Sequence, residues 1–176
     1  MPAAVQTKAA VLHRAIEAVQ ESKDIERAVN ALAGSLYTRF HVARVNVRMF
    51  IGATNEVIVV GSWCTHPSSF EPGARMRASS TSFLDVILEH SVVCGPREGI
   101  KELTEDIVYE GVGSWVSIPL PGPWRPDGVL TIASASTALR NQKAFFTELG
   151  NAVGGRLALL GKSSLVFLRA MRGQAV

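Results

Sequence analysis

The chain has 176 residues, about one domain at roughly 150 residues per domain. Hydrophobic residues make up 47% and charged residues 19%, which excludes a disordered chain and allows a real core. The net charge is only +3. From residue 139 onward Arg140, Lys143, Arg156, Lys162, Arg169 and Arg172 stand against Glu148 alone, so a basic C-terminal segment is joined to a slightly acidic body. That is not the distributed basic face of a nucleic-acid binder. No apolar run is long enough to span a membrane, and Met1-Pro2-Ala3 opens no basic-then-apolar signal segment. The expectation is a soluble cytoplasmic protein with no nucleic-acid or membrane partner. Two cysteines, Cys64 and Cys94, are too few for a disulfide scaffold or a four-thiolate zinc site.

Val5, Ala9, Leu12, Ile16 and Val19 recur at helical spacing, predicting a first helix that ends near Glu21. Asp24 is a good N-cap for a second, with Ile25, Val29, Leu32, Leu36 and Phe40 on its stripe. The period then drops to two. Val45, Val47, Met49 and Ile51 alternate with Arg44, Asn46, Arg48 and Phe50, a strand with one apolar and one mixed face. A turn at Gly52–Asn55 and a β-branched run from Val57 to Cys64 complete an antiparallel hairpin. A Pro/Ser loop follows, then a short edge strand over 74–77. A helix capped by Ser79, Ser80 or Thr81 carries Phe83, Val86 and Ile87, and a short strand covers 91–95. Residues 96–113 read as irregular, with one helical turn near 103–107. Ser114–Leu120 and Val129–Ala135 form a second hairpin across a Pro/Gly turn. One long helix runs from Leu139 through Met171. Its Gly150, Gly154, Gly155 and Gly161 would let another helix approach closely.

Antiparallel hairpins framed by terminal helices imply an α+β layer fold. The final pair of strands, Gly113-Ser114-Trp115-Val116-Ser117-Ile118-Pro119-Leu120 and Gly128-Val129-Leu130-Thr131-Ile132-Ala133-Ser134, resembles the paired last strands of the GAF domain. Phe145–Val153 resembles that family's closing helix, and Ser79–Val93 its short central helix and strand. Where many members have glycines near that helix start, this chain has Ser80, Thr81 and Ser82. The resemblance runs over about 25–160. It implies an antiparallel sheet with terminal helices on one face and a ligand pocket, covered by short helices and loops, on the other. It divides the chain into an N-terminal helix over 1–22, a GAF-like sensor domain over 23–160 and a C-terminal helical extension over 161–176.

The candidate site residues follow from that layout. Arg44, Asn46 and Arg48 face either solvent or the pocket; mid-strand Arg48 is the better candidate for holding a carboxylate or phosphate in its guanidinium fork. Trp63, Phe83, Tyr109 and Trp115 fall in or beside the segments enclosing the pocket, as lining or as plain core. Trp115, Ser117 and Thr131 share a face if the last strands pair in the expected register. Ser80, at a helix N-terminus, either caps the helix or attracts an anion. Cys64 and His66 are two possible metal ligands, and two do not make a site.

The functional expectation is a ligand-sensing regulatory domain. A small molecule of unknown identity binds on the sheet face away from the terminal helices. Those helices pass the state to an output domain, a transcriptional regulator or signalling kinase, that this chain lacks. The apolar residues beyond Leu160 suggest a homodimer through the terminal helices. The sequence names no cofactor and calls for no metal. No triad, nucleotide-cradling loop or paired-carboxylate motif is present, and the cysteines do not match those of stand-alone GAF methionine sulfoxide reductases, so no enzymatic activity is expected. The alternatives are a structural dimerisation module whose pocket is filled by its own aromatics, or a redox sensor or enzyme built on Cys64 or Cys94.

Overall fold

The computed structural model describes residues 7–66, 70–96 and 112–173. Two helices come first, α1 (Lys8–Glu21) and α2 (Ile25–Phe40). Thr7 caps α1 by accepting from the Ala10 N–H at 3.2 Å, and Asp24 caps α2 by accepting from the Arg27 N–H at 2.8 Å. α2 ends at His41, whose φ of 48° turns the chain directly into β1 (Val42–Ile51). Then follow β2 (Glu56–Cys64), β3 (Arg75–Arg77), a single 3₁₀ turn (Ala78–Ser80), α3 (Ser82–Glu89) and β4 (Val93–Pro96). The chain closes with β5 (Ser114–Leu120), β6 (Gly128–Ser134), α4 (Lys143–Lys162) and α5 (Leu165–Met171). No helix among the described residues is long and apolar enough to cross a membrane.

The strands form one antiparallel sheet in the order β3-β2-β1-β6-β5-β4. The alternation of β1 decides its two faces. Val45, Val47, Met49 and Ile51 join Ile58, Val60, Val116, Ile118, Leu130 and Ile132 beneath the helices. There they meet Leu32 and Leu36 of α2 and Phe146, Leu149 and Val153 of α4, while α1 packs across α2 and α4. α3 packs on the opposite face, against β5 and β6. The α+β architecture, with terminal helices on one face, is therefore the one expected.

Three expectations need correction. The closing helix is not continuous. Ser163 turns its hydroxyl back to the carbonyls of Leu159 and Leu160, and Ser164 caps a new helix by accepting from the Phe167 N–H at 3.2 Å. The hydroxyls compete with the helix ladder and end it. Nor do Gly150 and Gly161 of α4 receive a helix: a Cβ at Gly150 would lie 2.5 Å from Ile118, and one at Gly161 2.7 Å from Met49, so their close approach is to the sheet, while Gly155 faces open space. Third, the β1–β2 register slips between Val47 and Arg48. Val47 pairs with Gly61 and Arg48 with Val59, leaving Val60 as an extra residue. A bulge moves every residue beyond it to the other face. Val57 and Val59 thus lie opposite the helices, whereas Gly61 and Trp63 turn toward them.

Candidate functional site

The face away from the terminal helices carries a polar row on apolar walls. β1 contributes Arg44, Asn46, Arg48 and Phe50. Arg48 is fully buried, and Arg44 is 6% exposed. The Arg48 Nη2 donates to Thr131 Oγ1 at 2.7 Å and to Ser82 Oγ at 3.0 Å. Thr131 is the hub: its hydroxyl is also 3.3 Å from Ser82 Oγ and 3.3 Å from Ser117 Oγ. Cross-strand pairing explains the grouping, since Thr131 of β6 lies opposite both Asn46 of β1 and Ser117 of β5. Phe70 lies against the two cations, its ring centroid 4.8 Å from the Arg44 guanidinium carbon and 5.7 Å from that of Arg48. Burying a guanidinium is costly unless acceptors or π density face it; here two hydroxyls and an aromatic ring do so.

Around this row stand Val59, Phe70, Val112, Trp115 and Ala133 on one side. Val57, Ala78, Phe83, Val86 and Val129 stand on the other. Phe83 stacks on Phe50 at 5.0 Å, and Arg125 lies 4.2 Å from the Phe50 ring. A buried face of aromatic and aliphatic walls with a few convergent polar groups is the usual form of a small-molecule site. Two grooves among the described residues lie elsewhere, one of about 340 Å³ between the starts of α1 and α4 and one of about 390 Å³ between α4 and β5. Neither contains this chemistry.

Of the sequence candidates, the structure brings Arg48, Ser117 and Thr131 into direct contact or one hydroxyl apart. Phe83 and Trp115 are wall residues, and the Trp115 indole N–H donates to the Pro96 carbonyl at 2.8 Å. Trp63 is corrected: the bulge turns it to the helix face, where it meets Tyr37 edge-on at 6.2 Å. Ser80 is also corrected. Its hydroxyl donates to the Arg77 carbonyl at 3.1 Å within the 3₁₀ turn, and Ser82, just past the Thr81 cap, is the serine that reaches Arg48. Tyr109 lies outside the described residues. The sequence placed Asn46 on the mixed face of β1 without giving it a role, and gave none to Ser82 or Phe70. Asn46 had a usable signal, because asparagine is disfavoured in the middle of a strand and needs a reason to be there. Phe70 had none, being a lone aromatic in a Pro/Ser loop.

The two thiols are separated. Cys64 pairs with Arg44 and shares its face, whereas Cys94 pairs with Val116 on the helix side and donates to the Arg140 carbonyl at 3.3 Å. They sit on strands four places apart and on opposite faces.

No family model matches this sequence, and no curated protein is similar to it in sequence. Solved structures are similar in fold. The GAF domain of an Acinetobacter phosphoenolpyruvate-protein phosphotransferase superimposes with a TM-score of 0.65 at 12% identity, covering 86% of this chain and 90% of that one. The A. aeolicus nlh2 GAF domain gives 0.57 at 14% identity, covering 88% and 95%. The free methionine-R-sulfoxide reductase of Neisseria meningitidis, solved with its substrate, gives 0.65 at 15% identity, covering 89% and 91%. Reductases of this kind from Staphylococcus aureus and Thermoplasma acidophilum share the fold as well. These enzymes overturn the expectation that enzymatic activity is excluded: the same scaffold, at nearly full coverage, carries catalysts. At these identities the likeness establishes the fold and nothing finer. The chain has the GAF fold.

Proposed function

We propose that this chain is a ligand-sensing regulatory domain that binds a small molecule on the sheet face opposite the terminal helices. The observation that carries the reading is the fully buried Arg48, held by Thr131 and Ser82 at the centre of a polar row, where the middle of the opposite face is built from Val45, Val47, Leu130 and Ile132. A guanidinium fixed in this way suits a carboxylate- or phosphate-bearing ligand. The output is a transcriptional regulator or signalling kinase domain reached through the terminal helices.

A physical route for the relay supports this reading. β1 joins α2 through the single residue His41. The Ser134 hydroxyl at the end of β6 donates to the Phe40 carbonyl at 2.6 Å. A ligand that draws β1 and β6 together acts directly on the end of α2, provided it binds the two sheet states with different affinity. Leu165, Leu168 and Met171 stay 41–63% exposed on α5, which supports pairing of two copies there. The competing reading is a structural module, favoured by the way Phe70, Phe83 and Trp115 fill the walls.

The test is a native mass spectrum of the purified chain beside its denatured mass, repeated for Arg48→Met. Extra mass lost on denaturation and reduced in the variant supports the sensor reading. A bare chain whose melting temperature no small carboxylate or phosphate shifts favours the structural module. Sedimentation equilibrium tests the dimer, and a monomer at micromolar concentration rejects it.

A further inference from the structure

The fully buried polar side chains of the described residues are not equally satisfied. Asn46, Arg48, Thr81, Ser114, Ser117 and Ser134 have no exposed surface at all. Five of them have a hydrogen-bonding partner among the described residues: Arg48 on Thr131, Thr81 on Ala78, Ser114 on Ser136, Ser117 on Thr131 and Ser134 on Phe40. Asn46 is the exception. Neither its Oδ1 nor its Nδ2 has a hydrogen-bond partner among the described residues. Exchanging the two atoms changes nothing, because both ends are orphaned. Its cross-strand neighbours are Thr131 of β6, already engaged with Arg48, Ser82 and Ser117, and Ser62 of β2, and neither bonds to it. A buried amide left unsatisfied is destabilising, and such groups are rare in native proteins. A leucine at this position would pack as well and cost less. The amide is therefore kept for something that binds it.

An asparagine side chain offers a carbonyl acceptor and an N–H donor in one plane. Its complement is a group with a donor and an acceptor on a single edge. Arg44 and Arg48 flank it two residues away on the same strand face, each about 7 Å along the strand. Resting on the ligand-binding reading above, we infer that the molecule bound here is a small anion carrying an amide or lactam edge, which Asn46 pairs with two-pronged while the flanking arginines attract its charge.

The probes are L-pyroglutamate, a carboxylate with a lactam, and N-methylpyroglutamate, which keeps the carboxylate and carbonyl but lacks the N–H. Calorimetric titration of the full chain is expected to show pyroglutamate binding about tenfold tighter, the worth of one hydrogen bond to a buried group. In Asn46→Leu the preference is expected to vanish. The ligand-free Asn46→Leu chain is expected to melt a few degrees higher than the parent, since an orphaned amide has gone. Equal binding of both probes by the parent overturns the amide inference. If Arg48→Met then abolishes that binding, the ligand-binding reading stands alone. A preference that persists in Asn46→Leu, or a variant that melts several degrees lower, also overturns the inference, the latter by showing a structural partner for the amide. Failure of both probes to bind at millimolar concentration overturns the inference and counts against the site itself.

Discussion

The two faces of the sheet come from the same six strands and are filled by different means. Under the helices, Val45, Val47, Leu130, Ile132, Val116 and Ile118 meet Leu32, Leu36, Phe146 and Val153 with no exposure above 1%. On the other face Arg44, Asn46, Arg48, Ser117 and Thr131 are buried almost as deeply, yet carry charge and hydrogen-bonding groups. Equal burial with unequal chemistry separates two tasks. The apolar face lowers the free energy of the fold. The polar face raises it unless each group finds a partner, and that cost is what the proposed ligand site rests on.

Substitutions can break or sharpen this contrast. The largest effect belongs to the helix face. Phe146 has no exposure and contacts the rings of Phe40 and Phe145 at 5.3 and 5.0 Å, so Phe146→Ala should lower stability by about 3–5 kcal/mol in urea denaturation. A loss under about 1 kcal/mol would show that the helix face is not close-packed. Arg48→Met keeps much of the side-chain volume and removes the charge. It should weaken binding of a carboxylate or phosphate ligand by about 1.5–3 kcal/mol, read by calorimetry, and cost less stability than Phe146→Ala. The reverse order would make Arg48 a structural residue.

Gly150→Ala sets a methyl against Ile118, whose Cγ2 would be 2.5 Å away. Overpacking should cost about 1–3 kcal/mol in spite of the better helix propensity. Ser164→Ala removes the α5 cap and should cost about 1 kcal/mol, seen as faster amide exchange confined to 165–171. The smallest effect is none. Mild oxidation should produce no Cys64–Cys94 disulfide, because four strand spacings put the two about 19 Å apart, against a Cα limit near 7 Å. An intrachain loss of two hydrogens by mass would contradict the sheet order.

Much of this was legible in the chain. Ser114–Leu120 is the strand its alternation describes, and the change from helical to twofold period, read from Ala43, falls just past the end of α2 at Phe40. The mixed face of β1, and Arg48 upon it, could be read without a structure. Trp63 could not be placed. Straight alternation from Val57 and Val59 puts it with them, and one extra residue at Val60 reverses the result. The serine at the site was misread as Ser80 because three hydroxyl residues in succession each make a plausible cap. The geometry chooses Thr81 as the cap and aims Ser82 inward. The break at Ser163–Ser164 was written in the sequence as a capping serine before an apolar run, hidden by the helical period on both sides.

The sequence by itself determined the order of helices and strands and the two faces of β1, since periodicity and capping act within a few residues. Tertiary structure decided which face Trp63 joins, that Gly150 and Gly161 of α4 meet the sheet, and that Asn46 is buried with no partner among the described residues. Those outcomes depend on register and on contacts between distant segments, where one bulged residue outweighs a whole strand of local preference.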